Sequence, residues 1–286
     1  MYQESFGSAF KRGYMRIPTA IRVIITINVV VFILQALGGT GFNRLLINLF
    51  AFNPQWETAL TQPWRFVTYM FLHGSGFHLL FNMLWLWWMG RVVEENLGPR
   101  TFSVIYFGSG MGGALLNMGT ALMFGSTVVI GASGAVFGVM VAFAVMFPRT
   151  PIMLLLLPPI EARFLVAGLI LFDLIFLGAA DNVARIVHIG GAGIGYLLIQ
   201  AHYGGSDLSS IVRRLESFWP RFSSKGAAKN QKKPRNRNMY SISDVEIMEE
   251  HDADELDDIL EKISREGYDA LSSEEKRKLF ELSKRN

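Results

Sequence analysis

Cysteine is absent from this chain of 286 residues. Its absence excludes a disulfide framework, a thiol nucleophile and a cysteine metal site. Charge is also scarce over the first 203 residues, which hold 11 Lys/Arg and 7 Asp/Glu, against 16 and 17 in residues 204–286. The net charge of +3 does not indicate a nucleic-acid partner, and we predict none. No clear small-residue cleavage site follows the first apolar run, so we expect no cleavable signal peptide.

The charge-poor part is instead rich in apolar residues, which make up 51% of the whole chain. Long apolar runs followed by a charged segment predict an all-α, polytopic membrane protein with a soluble C-terminal tail. The apolar run 45–50 is too short to cross a bilayer and is expected to lie along the membrane surface. Six spans are predicted, over residues 21–37, 77–95, 101–123, 132–147, 152–177 and 183–202.

The distribution of charge and apolar residues predicts four parts. They are an N-terminal segment 1–20, a membrane domain 21–203, a basic flexible linker 204–243 and a helical hairpin 244–286. The linker's basic residues either contact anionic lipid head groups or are simply solvated.

The hairpin is predicted from apolar residues at helical spacing over 252–266. Gly267 is expected to end its first helix, and the Ser272/Glu275 pair is a capping-box signature for the second. The sequence does not indicate which partner the hairpin binds.

The placement of Lys and Arg predicts the orientation in the membrane. Six spans put both termini on one side, and only Arg44, Arg65 and Arg185 fall on the other side. Because positive residues collect in the cytoplasm, both termini are expected to be cytoplasmic. We expect a multi-pass protein of the bacterial inner membrane. The remaining basic residues of the membrane domain lie on the terminal side, together with the start of the tail: Lys11, Arg12, Arg16, Arg22, Arg91, Arg100, Arg149 and Arg163.

Several polar residues fall inside the predicted spans. Because burying a polar side chain in lipid costs free energy, the presence of each one calls for an explanation. Ser133 stands between glycines at the start of span four. His78 and Asn82 are four residues apart in span two and therefore share a helix face. His188 in span six precedes Gly191 and Gly195, a pair that lets helices approach closely.

These residue types suit nucleophilic catalysis. A serine hydroxyl needs a base, and histidine is the usual one. His78, Asn82 and the backbone N–H of Ser133 are available to bind an oxyanion. No acidic third member is evident: Asp173 lies in span five and Asp181 in the turn before span six. Asp173 is expected to pair with a neighbouring helix or a terminus and is assigned to the fold. A serine–histidine dyad, with its imidazole oriented by packing, is therefore preferred to a triad.

Other interpretations of the same residues remain open. A lone serine in a membrane helix is often a packing residue that bonds its own backbone. A single histidine can likewise be a satisfied packing residue. His73, His78 and His188 could be proposed as a metal site, but neither a nearby carboxylate nor HExxH spacing supports one. We predict no metal and no cofactor.

Over residues 60–202 the sequence resembles the rhomboid intramembrane serine proteases. The resemblance rests on four motifs in order: Trp64-Arg65, His78-Leu79-Leu80-Phe81-Asn82, Gly131-Ala132-Ser133-Gly134, and His188 with Gly191 and Gly195. Each motif alone is weak, whereas the four together are specific. The resemblance does not extend to the tail.

The resemblance implies a six-helix core around a water-filled cavity that opens to the outer face. Ser133 would be the nucleophile, His188 the general base, and His78, Asn82 and the Ser133 backbone the oxyanion donors, with Gly131 shaping that site. Some members stack a tyrosine on the histidine, four residues after the nucleophile. Here that residue is Phe137, which keeps the ring and lacks the hydroxyl.

The implied substrate is a transmembrane segment of another protein. It would come in sideways beside span five and be cut near its outer end at a small residue. Residues that break helices help, because an intact helix hides its carbonyls in hydrogen bonds.

Two competing functions are a catalytically inactive relative that binds or extracts membrane segments, and a transporter with a polar midplane site. An inactive relative typically lacks the serine or the histidine. A transporter would show broken helices in symmetric halves, which are not evident here.

Overall fold

A computed structural model describes residues 6–124, 128–154, 158–177 and 182–218, and in the tail 259, 261–263, 265, 267 and 271–277. The chain divides into two compact units, Met1–Ser224 and Lys225–Asn286. Most of the predicted linker, residues 219–243, lies outside the described residues.

The first unit is mainly helical. A 3₁₀ turn (Tyr69–Phe71) precedes α6, and a π-helical turn (Leu86–Gly90) joins α6 to α7. The helices are α1 (Phe6–Met15), α2 (Thr19–Leu37), α3 (Gly39–Phe50), α4 (Trp56–Thr61), α5 (Arg65–Thr68), α6 (Gly76–Trp85), α7 (Arg91–Phe124), α8 (Ser133–Met146), α9 (Ala162–Ile175), α10 (Asn182–Tyr203) and α11 (Ser209–Phe218).

Helices occupy each of the six ranges predicted to span a membrane. The break between the second and third ranges falls at Gly98, whose φ of 77° interrupts α7 just before Pro99. Among the described helices, only α2 is both long and apolar enough to cross a bilayer, while α8 is apolar but shorter. The number of spans therefore stays a prediction.

The predicted start of the fifth span, residue 152, is wrong. In the structure, strands β1 (Pro151–Ile152) and β2 (Ile160–Glu161) pair in antiparallel fashion before α9 begins at Ala162. The cause lies in Pro158 and Pro159, which lack backbone N–H groups and disfavour helical geometry in the residue before each of them.

Helix α8 lies at the centre of the unit, with ten of its 14 residues buried. It is apolar all round, as expected of a helix enclosed by others. Its glycines meet those of α10. A Cβ built on Gly191 would lie 2.0 Å from the carbonyl oxygen of Gly134, and one built on Gly195 would lie 2.5 Å from Cα of Gly138. The two backbones are therefore in direct contact, as the spacing of Gly191 and Gly195 predicts.

A buried carboxylate joins α2 to α7. Glu94, only 3% exposed, accepts hydrogen bonds from the backbone N–H groups of Ala20 and Ile21, each at 2.8 Å. These N–H groups belong to the first turn of α2, where intrahelical acceptors are missing. The negative charge also complements the positive end of the helix dipole.

Several helices were not predicted, among them the short helices α4 and α5. Helix α1 lies in the N-terminal segment, and α11 lies within the range predicted as linker. The guanidinium of Arg100 in α7 pairs with the carboxylate of Glu216 in α11 at 2.9 Å.

In the second unit, the predicted capping box is confirmed. The backbone N–H of Ser272 donates to Glu275 at 2.7 Å, and the backbone N–H of Glu275 donates to the Ser272 hydroxyl at 3.3 Å. Gly267 has a φ of 84°, which suits the end of a helix. Most of the first predicted tail helix, including 252–258, lies outside the described residues.

Candidate functional site

Ser133 is the first residue of α8. Ala132 before it provides no side-chain cap, so the N–H groups of the first turn keep their capacity to donate. These groups, together with the helix dipole, favour a negative charge at this end of the helix. A hydroxyl and a set of backbone donors therefore occupy the same point in the structure.

Gly131 brings His78 against this helix end. Its φ of 123° is accessible to glycine but strained for other residues. A Cβ at this position would lie 2.6 Å from Cε1 and 2.8 Å from Nε2 of His78. Gly131 therefore both allows the turn into α8 and leaves room for the imidazole.

His78 and Asn82 lie one turn apart on α6, as predicted. The hydroxyl of Ser75 caps this helix by accepting from the backbone N–H of His78 at 3.2 Å. The Asn82 side chain is 5% exposed and donates one N–H to the His78 carbonyl at 2.8 Å. Because an amide has two N–H groups, one remains available to another acceptor.

A cavity of about 340 Å³ lies between α6, α8 and α9. Ser133, His78 and Asn82 all line it, and Leu169 contributes a wall from α9. Most of the remaining lining is aromatic or aliphatic, from α6 and α8: Phe77, Phe81, Trp85, Val136, Phe137 and Met140. The cavity is thus an apolar hollow with polar groups at one place, which is typical of a ligand site.

His188 in α10 reaches the same face of α8. Its imidazole stacks on the ring of Phe137, with centroids 4.3 Å apart and planes 7° apart. Phe137 is one turn beyond Ser133, so the two side chains share a helix face. His188 is not among the residues that line the cavity, and no hydrogen bond joins its imidazole to the Ser133 hydroxyl in the structure. Such bonds often form only when substrate is bound.

Asp173 pairs with a neighbouring helix, which is one of the two partners expected from the sequence, but the sequence did not predict that this partner would be His188. A carboxylate oxygen of Asp173 lies 2.9 Å from Nδ1 of His188, so this residue of α9 contacts the imidazole directly. Asp173 is 7% exposed, and its carboxylate makes no other ion pair among the described residues. The imidazole therefore contacts both an aromatic ring and a carboxylate. The sequence did signal this residue, since a carboxylate within an apolar helix needs a partner.

His73 lies beside the site without lining its cavity. It is 2% exposed, and its ring centroid is 5.0 Å from that of His78 in an edge-to-face arrangement. In the described part of the chain, no three His, Asp or Glu side chains converge as metal ligands would.

Trp64 and Arg65 hold the loop before α6. Arg65 is 8% exposed and donates to the Ala51 carbonyl at 2.7 Å and to the Asn48 carbonyl. The indole N–H of Trp64 donates to the Leu49 carbonyl at 3.0 Å. The guanidinium also donates to the side-chain carbonyl of Gln62 at 2.6 Å, so its partners are two backbone carbonyls and one amide oxygen.

Comparison with known proteins locates the site within a family. Residues 60–203, half of the chain, match the Rhomboid domain. Residues 248–285 of the tail match a family of unknown function (DUF6576).

Three relatives illustrate the similarity. Rhomboid protease GluP of Bacillus subtilis is 29% identical over 200 residues, which are 70% of this chain and 38% of the relative. Rhomboid protease GlpG of Serratia proteamaculans is 29% identical over 151 residues, 51% of this chain and 50% of the relative. RHOMBOID-like protein 4 of Arabidopsis thaliana is 34% identical over 148 residues, 50% of this chain and 36% of the relative. This chain therefore spans half or less of the length of these relatives.

Proposed function

Because the chain belongs to the rhomboid family of integral membrane proteins, we propose that it is an intramembrane serine endopeptidase. Its substrates are membrane proteins, cleaved within or near a transmembrane segment. The observation that carries the proposal is the grouping of Ser133, His78 and Asn82 around one cavity, with the His188 ring stacked one turn below the serine.

The reaction begins when Nε2 of His188 takes the proton of the Ser133 hydroxyl and the oxygen attacks a substrate carbonyl. The developing oxyanion accepts hydrogen bonds from the Ser133 backbone N–H, the His78 ring and the free N–H of Asn82. Each such donor contributes about 3 kcal/mol to transition-state stabilisation. His188 then returns its proton to the leaving amine, and water hydrolyses the acyl-enzyme by the same steps in reverse order.

The apolar lining of the cavity suits an unwound stretch of a transmembrane helix. Its aromatic walls can take apolar side chains, while its polar groups receive the exposed carbonyl. Leu169 makes α9 one wall of the cavity, which supports access from the lipid beside the fifth span. Such a substrate reaches the cavity by moving sideways within the lipid bilayer.

The proposed topology has six spans with both termini in the cytoplasm, in a bacterial inner membrane. In this orientation the N-terminal end of α8, and Ser133 with it, lies toward the outer face. A cysteine-free chain allows single cysteines to be introduced and tested for labelling from either side of the membrane.

The test is cleavage of a reporter transmembrane protein by purified protein in liposomes. We expect Ser133→Ala and His188→Ala each to abolish cleavage. Two matched controls, Ser109→Ala and His202→Ala, change a serine in α7 and a histidine in α10 outside the site. Among the described residues the buried Ser109 hydroxyl has no hydrogen-bond partner, so its removal should cost little.

Continued cleavage by Ser133→Ala would refute the assignment of the nucleophile. Loss of cleavage in all four variants would point to a general folding defect. If the wild type binds the reporter without cutting it, the inactive-relative interpretation is the correct one.

A further inference from the structure

We propose that Asp173 is a positioning residue for His188, so that the site works as a serine–histidine–aspartate arrangement. This inference rests on the proposed function, because it assigns to His188 the role of general base. The observation is the contact of 2.9 Å between a carboxylate oxygen of Asp173 and Nδ1 of His188.

The contact fixes which nitrogen of the imidazole carries the proton. An ionised carboxylate only accepts hydrogen bonds, so Nδ1 must donate to Asp173. Nε2 is then left without a proton and faces away from the carboxylate, in the state that a general base requires. The stacked ring of Phe137 fixes the plane of the imidazole, and Asp173 fixes its rotation within that plane.

Burial makes the charge of Asp173 effective. The side chains of Asp173 and His188 are 10% and 19% exposed, so little water screens the pair. When His188 accepts the serine proton it becomes an imidazolium, and the neighbouring carboxylate stabilises that charge. Asp173 stays ionised throughout, and the proton passes only between Ser133, His188 and the leaving group.

The same contact also joins α9 to α10. The competing role for Asp173 is therefore to hold α9 in place against α10. Asp173 lies one turn beyond Leu169, which lines the cavity from α9. A carboxylate that only held α9 closed would hinder access of substrate, and its removal would raise cleavage. Positioning predicts the opposite result.

The experiment measures kcat and KM with the reporter in liposomes for Asp173→Asn, Asp173→Ala and Asp173→Glu. Loss of a charge-assisted hydrogen bond predicts a fall in kcat of about 10- to 100-fold for Asn and Ala, with KM little changed. Glu keeps the carboxylate and should recover part of the rate. Glu161→Gln is the control, since it removes an exposed ion pair with Arg163 just before α9 without touching the imidazole.

A second measurement does not depend on how the transmembrane substrate reaches the site through the lipid. The rate at which a small fluorophosphonate labels Ser133 should fall in Asp173→Asn in parallel with kcat. An unchanged labelling rate, a higher rate of cleavage, or a rise in KM alone would each overturn the positioning role. If the wild type is neither labelled nor active, the proposed function itself has failed, which is a different result.

The wild-type protein provides a test that needs no variant at Asp173. Nitrogen NMR of histidine-labelled protein, with the His188 signal assigned from its loss in His188→Gln, reports the protonation of each ring nitrogen. We expect a protonated Nδ1 and a bare Nε2 in the resting protein. A proton on Nε2 would contradict the inference even if the Asp173 variants fail to fold.

Discussion

The contact between α8 and α10 offers a quantitative test of how the site is assembled. A Cβ at residue 191 would lie 2.0 Å from the carbonyl oxygen of Gly134. Carbon–oxygen contacts of this kind are normally about 3.3 Å or longer, so Gly191→Ala must separate the two backbones by roughly 1.3 Å. No flexible side chain can absorb the shift, because the obstacle is backbone.

This separation of the two backbones would move Ser133 relative to His188. Ser133 is adjacent to Gly134 in α8, and His188 is three residues before Gly191 in α10. A displacement of about 1 Å between reacting groups can lower a rate about 100-fold. We therefore expect Gly191→Ala to lose about two orders of magnitude in kcat for a reporter transmembrane substrate in liposomes.

Gly193→Ala is the matched control on the same helix. In the part of the chain that the structure describes, no atom lies within 4 Å of a Cβ built at this position. Alanine is favoured over glycine inside a helix by up to about 1 kcal/mol, so this variant should keep full activity and equal or greater stability. Wild-type kcat in Gly191→Ala would refute the close contact of α8 and α10. Equal losses in both variants would attribute the effect to helix propensity instead.

Three further predictions concern separate features. Phe137→Ala should lower kcat more than Phe137→Tyr, because tyrosine keeps an aromatic ring stacked on His188. Equal kcat values for the two variants in the liposome assay would argue against a role for the stacking. Glu94→Gln should lower the free energy of unfolding, followed by thermal denaturation in detergent, by about 1–3 kcal/mol, whereas an unchanged midpoint would contradict the capping of α2. Hydrogen bonding to Lys262 and to the capping box lowers the pKa of Glu275 to about 2 from 4.5. Since the folded value is the lower, tail stability should be complete above about pH 4.5 and fall toward pH 2. A pKa of Glu275 near 4.5 by carbon NMR would disprove this.

Features that depend on local spacing could be predicted from the sequence. The glycine pair Gly191 and Gly195 indicates a close helix contact, and the Ser272/Glu275 spacing indicates a capping box. Both signals act within one or two turns of a helix, and the structure confirms both.

Features that depend on how distant segments meet were missed. The pairing of Asp173 with His188 depends on the rotation of α9 about its own axis, which an apolar sequence leaves undetermined. The capping of α2 by Glu94 joins residues more than 70 positions apart. The late start of α9 was predictable in principle, because Pro158 and Pro159 oppose a helix at those positions.

The central claim is that Ser133 is a nucleophile activated by His188. The most direct measurement is fluorophosphonate labelling of the purified protein, with the modified residue located by peptide mass spectrometry. We expect a single adduct on Ser133 in the wild type, no adduct in Ser133→Ala, and a strongly slowed reaction in His188→Ala. An adduct on another serine, or an equal rate without the imidazole, would contradict the claim.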